Sequence, residues 1–317
     1  MTAEPYPLYL QPHLSRRLWG DASLETYLGL EPAGPGDPWG ESWQVWAGNR
    51  IVNGPLAGST LQEAADLWGE RLLGSLTSGS QVPLLAKFIA AGQDLSLQVH
   101  PADAYALARY GQPGKAEAWL ILRARPGAFV YWGFKETVSA AAVREAAAAG
   151  TLAELLNRVP VTSGDVIYNP PGTVHAIGAG IILYEIQQSS DLTFRLYDYG
   201  RRDSYGNLRE LHLDEGLAVA DLTGGESAKV LPRELESGGR ELIVTPHFVL
   251  TSSVQGQYLH ATEASLQLLT AVEGDITLRG QDNQLKLPAG TSLVLPAVEQ
   301  RYEIEGTGTL LSARLPD

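Results

Sequence analysis

The sequence contains no cysteine, only one methionine and no apolar stretch of the length that crosses a bilayer. Without cysteine the chain forms neither disulfides nor thiolate metal sites, so nitrogen and oxygen atoms must hold any metal. A membrane-spanning helix needs roughly 20 mostly apolar residues, which argues against an integral membrane protein. The first residues also lack the basic and apolar segments of a secretory signal. We therefore expect a cytoplasmic protein that has no membrane partner.

Basic residues are scarce as well, since the chain has 23 Lys and Arg against 36 Asp and Glu, a net charge of −13. This negative field repels nucleic acids and anionic membrane surfaces, so neither is an expected partner. An anionic small substrate is compatible with the field only if a local cluster of basic side chains offsets it.

The chain is long enough for two or three lobes, with 317 residues of which 44% are hydrophobic and 19% charged. Most of its periodicity is typical of short strands. Helices are expected at residues 59–73, 103–110, 137–149 and 151–157, from capping patterns, an alanine-rich stretch and following glycines.

Residues 164–175 carry the most informative pattern, Gly-x5-Pro-x-Gly-x2-His, which ends at His175. Alternation at 166–169 predicts a strand, Pro170 and Gly172 predict a tight turn, and His175 then stands on the next strand. This spacing resembles the second motif of the cupin superfamily, in which the final histidine is a metal ligand.

Partners for His175 lie upstream, at Gln98, His100 and Glu117. Gln98 and His100 are two residues apart, so on a strand both side chains point to one face. Polar groups on the inward face of a barrel are costly unless they are satisfied, and a metal ion satisfies them. Glu117 would be the one anionic ligand, and water could complete the coordination. Gln98 is a weak ligand and could instead orient a water molecule. The remaining histidines are expected to be ordinary polar residues: His13, His212, His247 and His260.

The predicted fold is mainly β, with two cupin (jelly-roll) barrels and a small helical subdomain. Residues 1–132 and 158–235 would form the N-terminal catalytic barrel, 133–157 a helical insert beside it, and 236–317 a second barrel. Gly290 and Pro296 repeat the Gly-x5-Pro half of the motif, without the glycine and histidine that should follow. The second barrel is therefore expected to lack metal ligands, although the partial repeat could be a coincidence.

The chain as a whole resembles the short bacterial form of type I mannose-6-phosphate isomerases, or phosphomannose isomerases. The matching segments cover most of the chain: Arg-Leu-Trp-Gly at 17–20, Trp-Gly-Glu-Ser-Trp at 39–43, Pro-Leu-Leu-Ala-Lys-Phe at 83–88, Leu-Ser-Leu-Gln-Val-His-Pro at 95–101, Gly-Lys-Ala-Glu at 114–117 and the long stretch 184–198. One departure is Gln44-Val45-Trp46, which puts the edge of the site, and with it sugar selectivity, in doubt.

Members of this family are zinc enzymes that interconvert mannose 6-phosphate and fructose 6-phosphate. The resemblance therefore implies one Zn²⁺ per chain, a phosphorylated hexose as substrate, and a cis-enediol intermediate. The metal ligands that it implies are Gln98, His100, Glu117 and His175. It also implies an active-site arginine, Arg195, a position linked to the substrate phosphate, Ser96, and further pocket residues, namely Lys87, Lys115, Glu185 and Asp191.

The implied reaction moves a proton between C1 and C2 of an open-chain sugar, which requires a base and positive charge at the substrate oxygens. Lys115 shares a strand face with Glu117 and is one candidate for the base, and Glu185 is the other. Asp191 is a candidate for assisting ring opening. Arg195 would either stabilise the enediol or hold the phosphate.

Two other functions compete with the isomerase. The first is a different cupin metalloenzyme, such as an iron dioxygenase or another sugar-phosphate isomerase. Oxygenases usually bind iron through two or three histidines, so a set containing Gln98 and Glu117 fits them less well. The second is a non-catalytic sugar-binding or regulatory module. The sequence is compatible with a monomer or a homodimer.

Overall fold

Antiparallel strands dominate the computed structural model, which describes residues 4–202, 206–225, 228–236, 238–281 and 283–317. Strand pairing within these ranges defines four sheets, which we label A to D. The mainly β class predicted from the sequence is thus confirmed. No helix in the described ranges is long and apolar enough to cross a membrane.

The strands are β1 (Leu8–Tyr9), β2 (His13–Arg16), β3 (Trp39–Val45), β4 (Leu84–Ala91), β5 (Leu97–Val99), β6 (Glu117–Ala124), β7 (Phe129–Phe134), β8 (Leu156–Pro160), β9 (Val166–Asn169), β10 (His175–Ile177), β11 (Ile181–Gln188), β12 (Phe194–Tyr197), β13 (Lys229–Val230), β14 (Arg233–Glu234), β15 (Arg240–Val244), β16 (Val249–Ser253), β17 (Tyr258–Ala261), β18 (Gln267–Glu273), β19 (Ile276–Arg279), β20 (Gln284–Leu287), β21 (Ser292–Leu295), β22 (Gln300–Gly306) and β23 (Thr309–Arg314). The helices are α1 (Ser23–Leu28), α2 (Leu61–Trp68), α3 (Glu70–Leu73), α4 (Asp103–Tyr110), α5 (Ala140–Ala149), α6 (Leu213–Val219) and a 3₁₀ helix (Leu152–Leu155).

Sheet A is the middle layer of the molecule. Its order is β13-β9-β6-β11-β4-β3-β2, and sheet B, in the order β12-β5-β10-β7-β8, lies on one of its faces. Along β4 the side chains alternate, so Ala86 and Phe88 pack toward sheet C whereas Ile89 and Ala91 pack toward sheet B. Burial on both faces explains the continuous apolar run of this strand.

Sheets C and D come, apart from β1, from residues 233–314. We call sheets A and B the first half of the molecule and sheets C and D the second half. The orders of sheets C and D are β1-β21-β18-β23-β16-β15-β14 and β17-β22-β19-β20. The cluster between them contains Leu269, Leu278, Leu293 and Ile304, all almost fully buried. Strand β1 at the start of the chain pairs with β21, so the first residues belong to sheet C rather than to sheets A and B. The predicted ranges 1–132 and 236–317 therefore do not coincide with the two pairs of sheets.

Three predicted helices differ from the observed ones. The helix expected at 137–149 begins only at Ala140, after the N-cap Ser139. The helix expected at 59–73 begins with a capping box between Thr60 and Glu63, but Gly69 divides it into α2 and α3. The helix expected at 151–157 is wrong beyond residue 155, because Leu156 pairs with Phe134 and starts β8. Sheet pairing and burial override the local helical propensity there.

The helical insert connects two neighbouring strands, β7 and β8, and covers the outer face of sheet B. Val143 of α5 and Leu152 of the 3₁₀ helix share a cluster with Leu97 and Val99 of β5. Since Leu97 and Val99 point outward, Gln98 between them faces the space between sheets A and B.

Candidate active site

Three buried side chains, His100, Glu117 and His175, converge where β5 ends and where β6 and β10 begin. One ligand atom from each lies within 4.8 Å of the others. Within the described ranges this is the one group of His, Cys, Asp or Glu side chains with such spacing. The structure thus brings together three of the four side chains predicted to be ligands, and their binding of a metal stays a prediction.

Two glycines bring these segments close together. The Gly172 backbone N–H donates to the carbonyl oxygen of His100 at 2.9 Å, and its φ of +91° is one that other residues rarely adopt. A Cβ on Gly114 would lie 2.6 Å from the carbonyl carbon of Ala102. Because the chain folds back so tightly after α4, the helix inserted between His100 and Glu117 does not separate them.

Backbone carbonyl groups orient both imidazole rings. The Nδ1 atom of His100 lies 2.9 Å from the oxygen of Leu192, and that of His175 lies 2.9 Å from the oxygen of Thr173. A carbonyl oxygen only accepts, so Nδ1 carries the proton and Nε2 offers its lone pair in each neutral ring. These Nε2 atoms lie 3.3 Å and 3.1 Å, respectively, from the carboxylate oxygens of Glu117.

The arrangement fits a divalent metal ion. Nε2 of His175 is buried and has no hydrogen-bond donor among the described residues, although it lies 3.1 Å from Oε1 of Glu117. Lone pairs that face one another away from water are costly unless a cation lies between them. Imidazole nitrogens held by backbone carbonyls, together with a carboxylate, are a donor set typical of zinc and similar ions.

Lys115 adds a positive charge next to this group, with its ammonium 3.0 Å from Oε2 of Glu117 and 3.3 Å from Nε2 of His100. Burial opposes ionisation of Glu117, but Lys115 and the two imidazoles hold the pKa of its carboxyl well below the usual range. Burial and the charge of Lys115 lower the pKa of His100 to about 3. At neutral pH Glu117 is therefore an anion and His100 is neutral, as metal ligation requires.

The pairing of β5 with its neighbouring strands places Gln98 beside this group of three side chains. Gln98 stands directly opposite His175 on β10 and opposite Arg195 on β12. Directly opposite residues project to the same face of a sheet. Its Oε1 accepts a hydrogen bond from Ser96 Oγ at 3.4 Å. The predicted inward orientation of Gln98 is thus present, whereas its coordination of a metal stays a prediction.

A cleft of about 260 Å³ borders Gln98 and Lys115. Its lining contains five basic and three acidic side chains, although the whole chain has a net charge of −13. An anionic substrate was expected to require a local cluster of basic side chains, and this cleft provides one. The charged lining residues are Arg17, Lys87, Lys115, Arg195, Arg209, Glu41, Glu185 and Asp191.

A buried ion pair, Lys87 with Glu185, forms part of the cleft wall. The two residues are opposite each other on β4 and β11, and their charged atoms are 2.9 Å apart. Trp119 Nε1 donates to the other oxygen of Glu185 at 2.8 Å. Burial works against the charge on Lys87, yet Glu185 and Glu41 raise the pKa of its ammonium above the usual value. Lys87 therefore stays charged and fixes the orientation of Glu185.

All the predicted pocket residues line this one cleft: Lys87, Ser96, Lys115, Glu185, Asp191 and Arg195. Three further lining residues were not predicted from the sequence: Arg17, Glu41 and Arg209. Arg17 and Glu41 are joined by an ion pair of 2.9 Å and lie within matching segments, so position in a motif could have found them. Arg209 lies outside every matching segment, and only the fold brings it to the cleft.

Gln44, where the sequence departs from the family pattern, does not line the cleft. Gln44 Nε2 donates to Ser42 Oγ at 2.8 Å, and its Oε1 accepts from Ser292 of sheet C at 3.1 Å. These partners place Gln44 at the contact between sheets A and C. Its position therefore gives no support to an effect of Gln44 on sugar selectivity.

Comparison with known proteins finds two family models that match the chain. Residues 8–118 match the family described as phosphomannose isomerase type I, catalytic domain, and residues 247–315 match mannose-6-phosphate isomerase, cupin domain. The chain is 36% identical over 309 residues to a mannose-6-phosphate isomerase of Streptococcus mutans, covering 95% of each chain. It is 34% identical over 329 residues to mannose-6-phosphate isomerase ManA of Bacillus subtilis, covering 99% of this chain and 100% of that one.

A crystal structure of the mannose 6-phosphate isomerase from Bacillus subtilis has the same fold. The TM-score is 0.86 at 30% identity, and the match covers 97% of this chain and 99% of that one. The similarity thus extends over both pairs of sheets. The chain belongs to the type I phosphomannose isomerase family.

Proposed function

We propose that the chain interconverts mannose 6-phosphate and fructose 6-phosphate with a bound divalent metal, zinc. The observation that carries this proposal is the buried group of His100, Glu117 and His175 beside a cleft rich in positive charge. Relatives named mannose-6-phosphate isomerase, similar over almost the whole chain, support the same substrate.

Four side chains would hold the ion: Gln98, His100, Glu117 and His175. Nitrogen and carboxylate ligands without thiolates suit zinc, and they suit other divalent first-row metals as well. When bound, the ion supplies positive charge that orients or polarises the sugar oxygens near C1 and C2.

The other charged residues of the cleft would bind the sugar and move its proton. Lys115 and Glu185 are both buried and line the cleft, so each is a candidate for the base that moves the proton between C1 and C2. Lys87 holds Glu185 in place through their ion pair. Arg195 supplies positive charge to the substrate oxygens. Asp191, which is exposed at the cleft, assists ring opening.

A coupled assay for fructose 6-phosphate formed from mannose 6-phosphate tests the proposal. We expect turnover that a chelator abolishes and added Zn²⁺ restores. Metal analysis should find one ion per chain. Retained binding of the sugar phosphate without turnover would favour a non-catalytic module instead. Iron-dependent oxygen uptake would favour a dioxygenase.

Two variants identify the base. The variants are Lys115→Ala and Glu185→Gln, one of which removes the base. That variant should lose turnover by roughly 10²- to 10⁴-fold, and it should lose the incorporation of solvent deuterium into the sugar to the same extent. The other variant should retain deuterium incorporation. Because Lys115 is close to Glu117, the metal content of each variant is measured in parallel.

We also propose a cytoplasmic location, because a charged sugar phosphate does not cross a bilayer unaided. A monomer or a homodimer would be sufficient for activity, since one chain supplies the cleft lining described above. Residues 236–317 are proposed as a second cupin barrel without metal ligands, with 133–157 as the helical insert of the first barrel. The cupin-domain match at 247–315 supports this division.

A further inference from the structure

Arginine side chains gather around one buried carboxylate, Asp198, at the end of β12. Asp198 is 4% exposed, and its Oδ1 accepts a hydrogen bond from Arg201 and another from Arg209, the latter at 3.3 Å. Arg195 lies within electrostatic range of the same carboxylate. Three guanidinium charges therefore share one buried negative charge.

The nearby acidic groups do not cancel the excess. Glu210 lies near Arg195 in space, but its side chain is 83% exposed, so solvent screens it. Burial and the adjacent charge of Arg195 lower the pKa of the Arg209 guanidinium. Arg17 is also within range of Arg209, but its charge is already paired with Glu41. An anion with two negative charges would balance this group.

Some hydrogen-bond donors of Arg195 and Arg209 have no partner among the described residues. Nε of Arg195 is buried without a partner among the described residues, while its Nη1 donates to the backbone oxygen of Glu210 at 2.8 Å. Of the Arg209 donors, Nη1 is used by Asp198. Arg195 and Arg209 both line the cleft that also borders Gln98 and Lys115. No described residue is hydrogen-bonded to the remaining Arg209 donors, and both arginines border the cleft of the proposed reaction.

We propose that Arg209 binds the phosphate group of the sugar, with Arg195 as the second donor and Asp198 as the residue that fixes the Arg209 side chain. Arginine suits this role because its planar donors match the geometry of phosphate oxygens. The inference rests on the proposed isomerase function, and it adds a residue that no matching sequence segment contains.

Kinetics of Arg209→Ala test the proposal. We expect the KM for mannose 6-phosphate to rise about ten- to hundredfold, the range of one charge-assisted hydrogen bond. The kcat should change by less than about threefold, because a phosphate anchor binds ground state and transition state alike. Arg209→Lys keeps the charge and should show a smaller rise in KM, which preserves the test if the alanine variant folds poorly.

Inorganic phosphate provides a second measurement, independent of catalysis. It should inhibit competitively against mannose 6-phosphate, and it should raise the thermal unfolding temperature of the wild-type chain. Both effects should weaken in Arg209→Ala in proportion to its KM. The matched control is Arg233→Ala, whose side chain is 70% exposed in sheet C and paired with Glu241, and it should behave as the wild type.

An unchanged KM and an unchanged response to inorganic phosphate in Arg209→Ala would overturn the proposal. Non-competitive inhibition by phosphate would also overturn it, because the anion would then bind outside the substrate position. Absence of turnover in the wild-type chain would refute the proposed isomerase alone, since the phosphate-induced thermal shift and its loss are measured without catalysis.

Discussion

The space between sheets A and B contains charged side chains, namely Lys87, Lys115, Glu117 and Glu185, whereas the cluster between sheets C and D is built from aliphatic side chains and Tyr302. Both halves have a Gly-x5-Pro segment, but only the first continues into Gly172 and His175. Buried charges cost free energy unless they are paired, so the first half needs its ion pairs and its proposed metal.

The second half makes a different contribution. Leu268 and Val294 of sheet C share a large cluster with Phe88 and Tyr184 of sheet A. The apolar half thereby supports the outer face of the strands that carry Lys87 and Glu185. The two pairs of sheets therefore contribute differently. One contains the buried charged groups of the cleft, and the other stabilises the fold through apolar packing.

The largest expected effect comes from removing a proposed ligand in the first half. We expect His175→Ala to lose its metal and its isomerase activity, because a Lewis-acidic ion contributes several kcal/mol, or on the order of a thousandfold. Elemental analysis and the coupled assay measure the two losses. The matched control, His260→Ala, changes an exposed histidine of sheet D and should retain both. Full activity of His175→Ala would remove the functional distinction between the halves.

Removing a charged side chain that does not contact the proposed metal ligands should reduce activity less. Arg195→Ala is expected to retain its metal and to lose about a hundredfold in kcat/KM, because one charge that binds substrate oxygens is removed. The same elemental analysis and assay distinguish it from His175→Ala. Arg301→Ala removes an arginine stacked on Tyr258 in sheet D, 3.7 Å from the ring centre, and should be neutral. Loss of metal from Arg195→Ala would contradict the separate roles.

A cavity in the second half should reduce stability and leave the chemistry unchanged. Leu269 is fully buried between sheets C and D, so Leu269→Ala should lower the free energy of unfolding by about 2–5 kcal/mol. The variant's kcat should equal that of the wild type at temperatures where it is folded. Leu231→Ala, at a residue 91% exposed, is the control and should cost little.

Urea unfolding of Leu269→Ala also measures the coupling between the halves. All seven tryptophans lie within residues 19–132, so tryptophan fluorescence reports the first half and, through Trp68, its contact with the second. Circular dichroism reports both halves. Because the two halves share one large cluster, we expect the fluorescence and dichroism transitions to shift together. A shift in dichroism alone would show that the halves unfold independently.

The smallest expected effect is a pH-dependent one in the first half. Burial opposes the ionisation of Glu41, but Lys87 and Arg17 lower the pKa of its carboxyl below the usual value. The ionised group therefore stabilises the fold above the unfolded pKa of about 4.3, and this contribution disappears as the pH falls through the folded pKa. Glu41→Gln should cost about 1–3 kcal/mol at pH 7.

Urea unfolding monitored by tryptophan fluorescence measures this effect at pH 7 and at acidic pH. The difference in stability between wild type and Glu41→Gln should shrink as the pH falls below about 4. Glu234→Gln, at a side chain 73% exposed in sheet C, is the control and should show no such trend. A difference that is constant with pH would mean that the Glu41 charge does not stabilise the first half.

Much of the fold was predictable because short apolar or alternating segments bounded by glycine and proline are typical of strands. The predicted strand at 166–169 and helix at 103–110 coincide with β9 and α4. Prediction failed at 151–157 because pairing of Leu156 with Phe134 is a long-range contact that local propensity does not contain. No strand was predicted at β1, where Tyr9 pairs with Leu293 near the other end of the chain.

The sequence by itself determined which residue types were available for the site. The absence of cysteine left nitrogen and oxygen ligands, the period-two spacing placed Gln98 and His100 on one face, and the Gly-x5-Pro-x-Gly-x2-His pattern singled out His175. Only the tertiary structure decided which distant charges meet. Arg17, Glu41 and Arg209 reach the cleft because sheet order and the folded-back loops bring remote segments together, and such proximity leaves no periodic trace in a single sequence.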